Sequence, residues 1–269
     1  MPRRLLVALV VACVLASGCS KFERLTIIRP SAARGEYTKV APTYDVSGKA
    51  SPRDTDITQL LMSASDLYQQ GDFAQAQALA ERALKADPRS GDAHTLLGVI
   101  ADARSDARVA GVHYGKAVEI APNTGLYANN YGSWLCANGR ATESLAWFDR
   151  AIADPAYPTP GLALANAGGC AQKAGQLERA ETSWRQALTL DPVSAPALSG
   201  MAALKFAQGE YLDARAFTER WLTMAPDDPE GLRLAIQVEQ KLGDNVAASR
   251  YLSRLQAIPS GPRSAPRTQ

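Results

Sequence analysis

Histidine is almost missing from this chain: His94 and His113 are the only two in 269 residues, with no cysteine or carboxylate at a zinc-like spacing beside either. That scarcity argues against a metal centre, and both are read as packing residues. Charge of one sign is lacking too. The formal balance is +2, and two of the 29 basic residues, Arg3 and Arg4, fall in a segment read below as cleaved; 27 basic then face 27 acidic residues. A balanced chain has no basic excess with which to hold nucleic acid. Long apolar runs are absent as well: Leu5 to Leu15 is eleven residues, against the ~20 that a membrane-spanning helix needs. No glycine-rich phosphate loop follows a strand, no Gly-x-Ser-x-Gly elbow occurs, and no nucleophile stands at a defined spacing from a base. Carboxylates such as Glu178 and Glu181 sit at helical spacing and read as a solvated face. The expectation is a non-enzyme with no cofactor, no metal and no small-molecule substrate.

What the chain does have is alanine, leucine and glutamine recurring every three or four positions, with aromatics held to 7%. That pattern favours helix over strand. From Ile57 onward a longer period appears. Pro88, Pro122, Pro192 and Pro226 are spaced by 34, 70 and 34 residues, and 70 is two repeats plus two. Taking each proline as position 32 sets six repeats at 57–90, 91–124, 125–160, 161–194, 195–228 and 229–262.

Independent columns fall into the same register. Position 8, where the two helices of a pair approach, holds Ala64, Gly98, Gly132, Gly168 and Ala202 before breaking at Ile236. Position 20 holds Ala76, Ala110, Ser144, Ala180, Ala214 and Ala248. Tyr114, Phe148, Trp184 and Leu252 are expected to fill the hole between helices, with Ala83, Ala117, Ala151 and Ala187 as the next small contact. Gly71, Gly139, Gly175, Gly209 and Gly243 mark the turns inside the pairs, where a helix end enters the left-handed region. These columns resemble the tetratricopeptide pattern. The predicted fold is therefore all-α, a right-handed superhelical solenoid of six tetratricopeptide-like helix pairs over 57–262, with the segment Ala156 to Pro160 interrupting the joint between the third and fourth repeats.

Ahead of the repeats, a basic start, the apolar run and Ala16-Ser17-Gly18-Cys19 read as an export signal over 1–18. Cysteine directly after small residues resembles the lipobox of bacterial lipoproteins, which implies acylation of Cys19. Ser20 is not Asp, so by the same resemblance the expected place is the outer membrane, lipid-anchored and facing the periplasm, with outer-membrane lipid contacted through acylated Cys19. Residues 19–56 are rich in Ser, Pro, Gly and Thr and read as a tether; 263–269 read as a disordered tail, with fraying from Pro259.

Cys13 leaves with the signal and Cys19 carries lipid, so Cys136 and Cys170 remain in an exported domain. They occupy positions 12 and 10 of the first helix in consecutive repeats, near one height on neighbouring helices, which predicts a disulfide. Asn130 and Asn166 align at position 6, near the concave side, where an amide can clamp an extended backbone or bond within its own repeat. Leu61 and Tyr68 are expected to face the same groove in the first repeat, while Leu60 and Leu67 are core with Ala64 as the close contact.

The third and fourth repeats carry a more specific signature. Asn129-Asn130-Tyr131-Gly132-Ser133-Trp134-Leu135-Cys136, then Gly139-Arg140, Glu143 to Phe148, Asp154 to Pro158, and Asn166-Ala167-Gly168-Gly169-Cys170 resemble the type IV pilus biogenesis lipoproteins of the PilF/PilW family. The resemblance implies a pilotin, a lipoprotein that binds the type IV pilus secretin subunit and promotes its localisation or multimerisation in the outer membrane. A tetratricopeptide lipoprotein subunit of an outer-membrane protein insertion or cell-wall synthesis complex is the other scaffold reading.

Overall fold

The computed structural model describes residues 52–258, with side chains from Asp56 onward. The expectations for the export signal, for Cys19, for the tether before Pro52 and for the tail after Ile258 lie outside the described residues. Within them, every regular element is a helix, and there are twelve: α1 (Pro52–Gln69), α2 (Phe73–Ala86), α3 (Gly91–Ala103), α4 (Ala107–Ile120), α5 (Gly125–Ala137), α6 (Ala141–Ala153), α7 (Pro160–Lys173), α8 (Leu177–Leu190), α9 (Ala195–Ala207), α10 (Tyr211–Met224), α11 (Pro229–Leu242) and α12 (Asn245–Ala257). The first begins five residues before the Ile57 boundary, with Pro52 at its start, where a missing N–H costs nothing. Asp72, Ser90, Asp106, Asp228 and Asp244 each cap a following helix by accepting a backbone N–H. Such a cap contributes about 1 kcal/mol.

Each odd-numbered helix packs against the next even-numbered one to make a pair. Neighbouring odd helices also touch one another, whereas no two even helices do among the described residues. The chain therefore curves with α1, α3, α5, α7, α9 and α11 on the inner wall. This is a tetratricopeptide solenoid.

Small against large fixes the spacing inside each pair. A Cβ on Gly98 would stand 2.6 Å from the Tyr114 ring, one on Gly132 3.2 Å from Phe148, and one on Gly168 2.4 Å from Trp184. Position 20 is buried in all six repeats, Ser144 included. Ser144 satisfies its hydroxyl by donating to the Ala141 carbonyl at 2.6 Å.

Three particulars differ from the sequence pattern. In the second repeat Ser105 takes the left-handed turn at φ 62°, where the other five repeats have glycine at φ 76° to 81°. Leu252 does not fill a hole. It is 44% exposed, because α12 has no further described helix to cover it. The insertion expected at this joint carries packing of its own: Tyr157 is buried against Ala128, Ala151 and Ala163, and Asp154 Oδ2 accepts the Gly125 N–H at 2.7 Å. The two extra residues thus bring in an aromatic plug for the joint between α5, α6 and α7.

Candidate protein-binding groove

The inner wall of the last four repeats encloses an open cavity of about 690 Å³. Its floor is made of residues with little or no side chain, among them Ala137, Ala165, Gly169, Gly200 and Ala203, each contributed by an odd helix. Small residues recur there because the first helices of consecutive repeats must approach closely along a curved wall. Indoles support that floor from behind. Trp184 is 2% exposed, and its Nε1 donates to the Ala165 carbonyl at 3.2 Å. Trp221 reaches the cavity from α10.

Polar and charged side chains make up much of the remaining lining. Ser133, Asn166, Gln172, Lys173, Ser199 and Gln237 line the cavity. At the last repeat Glu230 and Arg233 pair with each other across one helical turn. A channel of this kind, smooth-floored with scattered donors and acceptors, suits an extended or helical protein segment better than a small charged substrate.

The sequence-predicted residues divide into three groups. Cys136 and Cys170 are brought together on the cavity wall as a disulfide between α5 and α7, with Cα atoms 5.8 Å apart. Asn166 lines the same cavity, but its amide is already engaged: Nδ2 donates to Asn129 Oδ1 at 3.1 Å and lies 3.4 Å from Ser133 Oγ. Its partner across the repeats is therefore buried Asn129, one position before the aligned Asn130, which is half-buried on α5 and does not line the cavity. Leu61 and Tyr68 lie apart, on α1. Both are half-buried, and Tyr68 packs on Phe73 with ring centroids 5.6 Å apart.

Position-by-position reading missed the ties that hold this wall. Lys205 on α9 has a side chain only 6% exposed, and its Nζ reaches Glu181 at 3.0 Å and Glu210 at 2.9 Å. The bond to Glu210 chiefly, and then that to Glu181, pushes the lysine pKa up. Hydrogen bonds from Arg185 and Lys205 in turn hold Glu181 below the ordinary carboxylate value. One joint further on, Arg215 of α10 pairs with Glu239 of α11, whose side chain is 4% exposed. The available signal was a basic residue and an acid 24 residues apart, Lys205 with Glu181 and Arg215 with Glu239, which no single-helix pattern displays.

Comparison with known proteins agrees with the geometry. The tetratricopeptide repeat family matches residues 61–123 and again 171–237. The chain is 26% identical over 223 residues to the type IV pilus assembly protein PilF of Pseudomonas aeruginosa, spanning 80% of this chain and 88% of that protein. Among solved structures it is similar to PilW, described as a widely conserved type IV pilus biogenesis factor, at 32% identity and a TM-score of 0.71, over 75% of this chain and 93% of that one. The structure of Pseudomonas aeruginosa PilF superposes with a TM-score of 0.72 at 24% identity, over 78% of this chain and 94% of that one.

Proposed function

We propose, for a chain that belongs to the tetratricopeptide-repeat family of type IV pilus biogenesis factors represented by PilW, the role of a pilotin: a lipoprotein scaffold that binds the pilus secretin subunit and promotes its localisation or multimerisation in the outer membrane. The observation that carries this reading is that the likeness to PilW and PilF runs across nearly their whole length, not across a stray pair of repeats. A solenoid supplies a docking wall, and acylation of Cys19 would supply location. Binding then raises the concentration of secretin subunits at one membrane. No chemical step is required of the scaffold.

A deletion strain scored for secretin multimers and surface pili tests the proposal. The expected result is loss of both, with outer-membrane barrel proteins at normal levels. General loss of barrel proteins would overturn it in favour of an insertion-machine subunit, and intact secretin multimers in the deletion strain would remove the pilotin role.

A further inference from the structure

The second repeat contains a polar contact that its five siblings lack. Positions 4 and 23 hold Leu60 with Leu79, Ala128 with Trp147, Leu164 with Ser183, Leu198 with Phe217 and Leu232 with Tyr251. In the second repeat the same two positions are His94 on α3 and His113 on α4. Their Nδ1 atoms lie 3.1 Å apart and their ring centroids 5.3 Å apart, and both rings are half-buried. Every other repeat has an aliphatic residue at position 4, and none pairs two ring nitrogens across this joint, so packing alone does not call for two imidazoles facing each other nitrogen to nitrogen.

We propose that His94 and His113 form a two-nitrogen site for a divalent d-block cation, copper(II), nickel(II) or zinc(II), held through both Nδ1 atoms with water completing its shell.

The separation suits the task. With metal–nitrogen bonds of about 2.0–2.1 Å, donors 3.1 Å apart subtend roughly 95–100° at a shared ion, between the angles of tetragonal and tetrahedral sites. The rings need only turn off the head-on axis of their hydrogen bond. In the metal-free pair one ring donates its Nδ1 proton to the other. On binding, that proton moves to Nε2 of its own ring, both Nδ1 lone pairs face the ion, and no proton is lost overall.

The surroundings favour neutral rings and tolerate added charge. Burial is the main cause lowering both histidine pKa values, assisted by Lys116 at His94 and by His94 itself at His113. Glu119 acts in the opposite sense on His94, as does Glu81 of α2 on His113, and the Pro88 carbonyl beside His94 also favours its charged form. Lys116 is itself paired with Glu119 at 2.7 Å. Among the described residues no three His, Cys, Asp or Glu side chains converge on one point, so the protein supplies two donors and the ion keeps open positions. Neither histidine lines the concave cavity. The site stands independently of what the groove binds.

The test uses tag-free chain carrying Cys13→Ser and Cys19→Ser, so that no free thiol or affinity tag competes, titrated with copper(II), nickel(II) and zinc(II) by calorimetry. One equivalent per chain is expected, with imidazole nitrogen couplings in the copper(II) paramagnetic resonance spectrum. His94→Asn and His113→Asn should each weaken binding at least about tenfold. Should either variant lose helical circular dichroism, protection of the two histidines from diethyl pyrocarbonate by zinc(II) in the chain with both rings intact replaces it. Absence of saturable binding, undiminished binding in the double variant, or unprotected histidines would each overturn the proposal.

Discussion

The indole of Trp184 on α8 occupies the space into which a side chain on Gly168 of α7 would project: a Cβ there would stand 2.4 Å from Nε1. The same ring lies 2.3 Å from where a Cβ on Gly200 of α9 would sit. One buried tryptophan thus sets the spacing of three helices and of the cavity floor above them.

Gly168→Ala and Gly200→Ala should each destabilise the protein by about 1–3 kcal/mol, because overpacking outweighs the gain in helix propensity. Gly169 is the internal control. It is helical with nothing within 4 Å of its Cβ position, so Gly169→Ala should stabilise by up to about 1 kcal/mol. Urea unfolding of the three variants reads the sign directly, and a stabilising Gly168→Ala would refute the packing account.

The disulfide closes a 34-residue separation between Cys136 and Cys170, and loop-closure entropy assigns such a crosslink about 3–4 kcal/mol. Reduction should lower the unfolding midpoint without changing the number of helices. With Cys13 and Cys19 replaced by serine, unfolded non-reduced protein should show no thiol reactive toward a maleimide. Two labelled thiols per chain would contradict the bridge.

Removing Lys205 leaves Glu181 and Glu210 without their shared cation. Lys205→Ala should cost about 2 kcal/mol, less than the roughly 3–5 kcal/mol of a fully buried pair, because the Glu210 side chain is 45% exposed. The pH dependence has a defined sign. Glu181 is held below its ordinary value of 4.5, so its contribution is present above that value and is lost as pH falls through the lower folded one. Stability of Lys205→Ala should therefore fall less steeply with acid below pH 4.5 than that of the unaltered protein, as measured by denaturant midpoints across that range. An unchanged slope would show that Lys205 does not contribute to the shift.

Client docking can be mapped without touching the core. Ala203 lies exposed on the cavity floor, so Ala203→Arg should keep the fold and weaken secretin binding by more than ~1 kcal/mol if the segment runs there. Leu61→Arg asks the same of α1, where Leu61 and Tyr68 were expected to serve. Tyr68→Ala is a poorer probe because it also removes the contact to Phe73. Unchanged affinity in both arginine variants, with helical circular dichroism retained, would exclude both surfaces.

Location should separate from recognition. Replacing Cys19 with serine behind a cleavable secretory signal is expected to release the protein from the outer membrane while leaving secretin binding by purified protein intact, since the multiple acyl chains expected on Cys19 and not the solenoid would hold it there. A Cys19→Ser chain that still fractionates with the outer membrane in cells lacking the secretin would show another anchor.

The sequence by itself determined the helix pairs, their number and most of their spacing, because those constraints are local. Gly98 and Tyr114, or Gly168 and Trp184, recur at fixed separations inside one 34-residue unit, and a size requirement repeated in several units becomes visible as a column. Only the tertiary structure decided what crosses between units or happens once. Asn166 reaches Asn129 and not the aligned Asn130, since amides on neighbouring helices meet according to the angle of the repeats. Lys205 looks like a surface lysine along α9 and is held buried by two acids, Glu181 of α8 and Glu210 at the cap of α10. Tyr157 turns an apparent loop into a plug, and Ser105 accepts a left-handed turn that five glycines fill elsewhere. Leu252 fits its column yet stays exposed, because a hole needs a helix on both sides. His94 and His113, 19 residues apart, become a pair only when α3 and α4 pack, since the separation in sequence carries no record of the angle at which two helices cross.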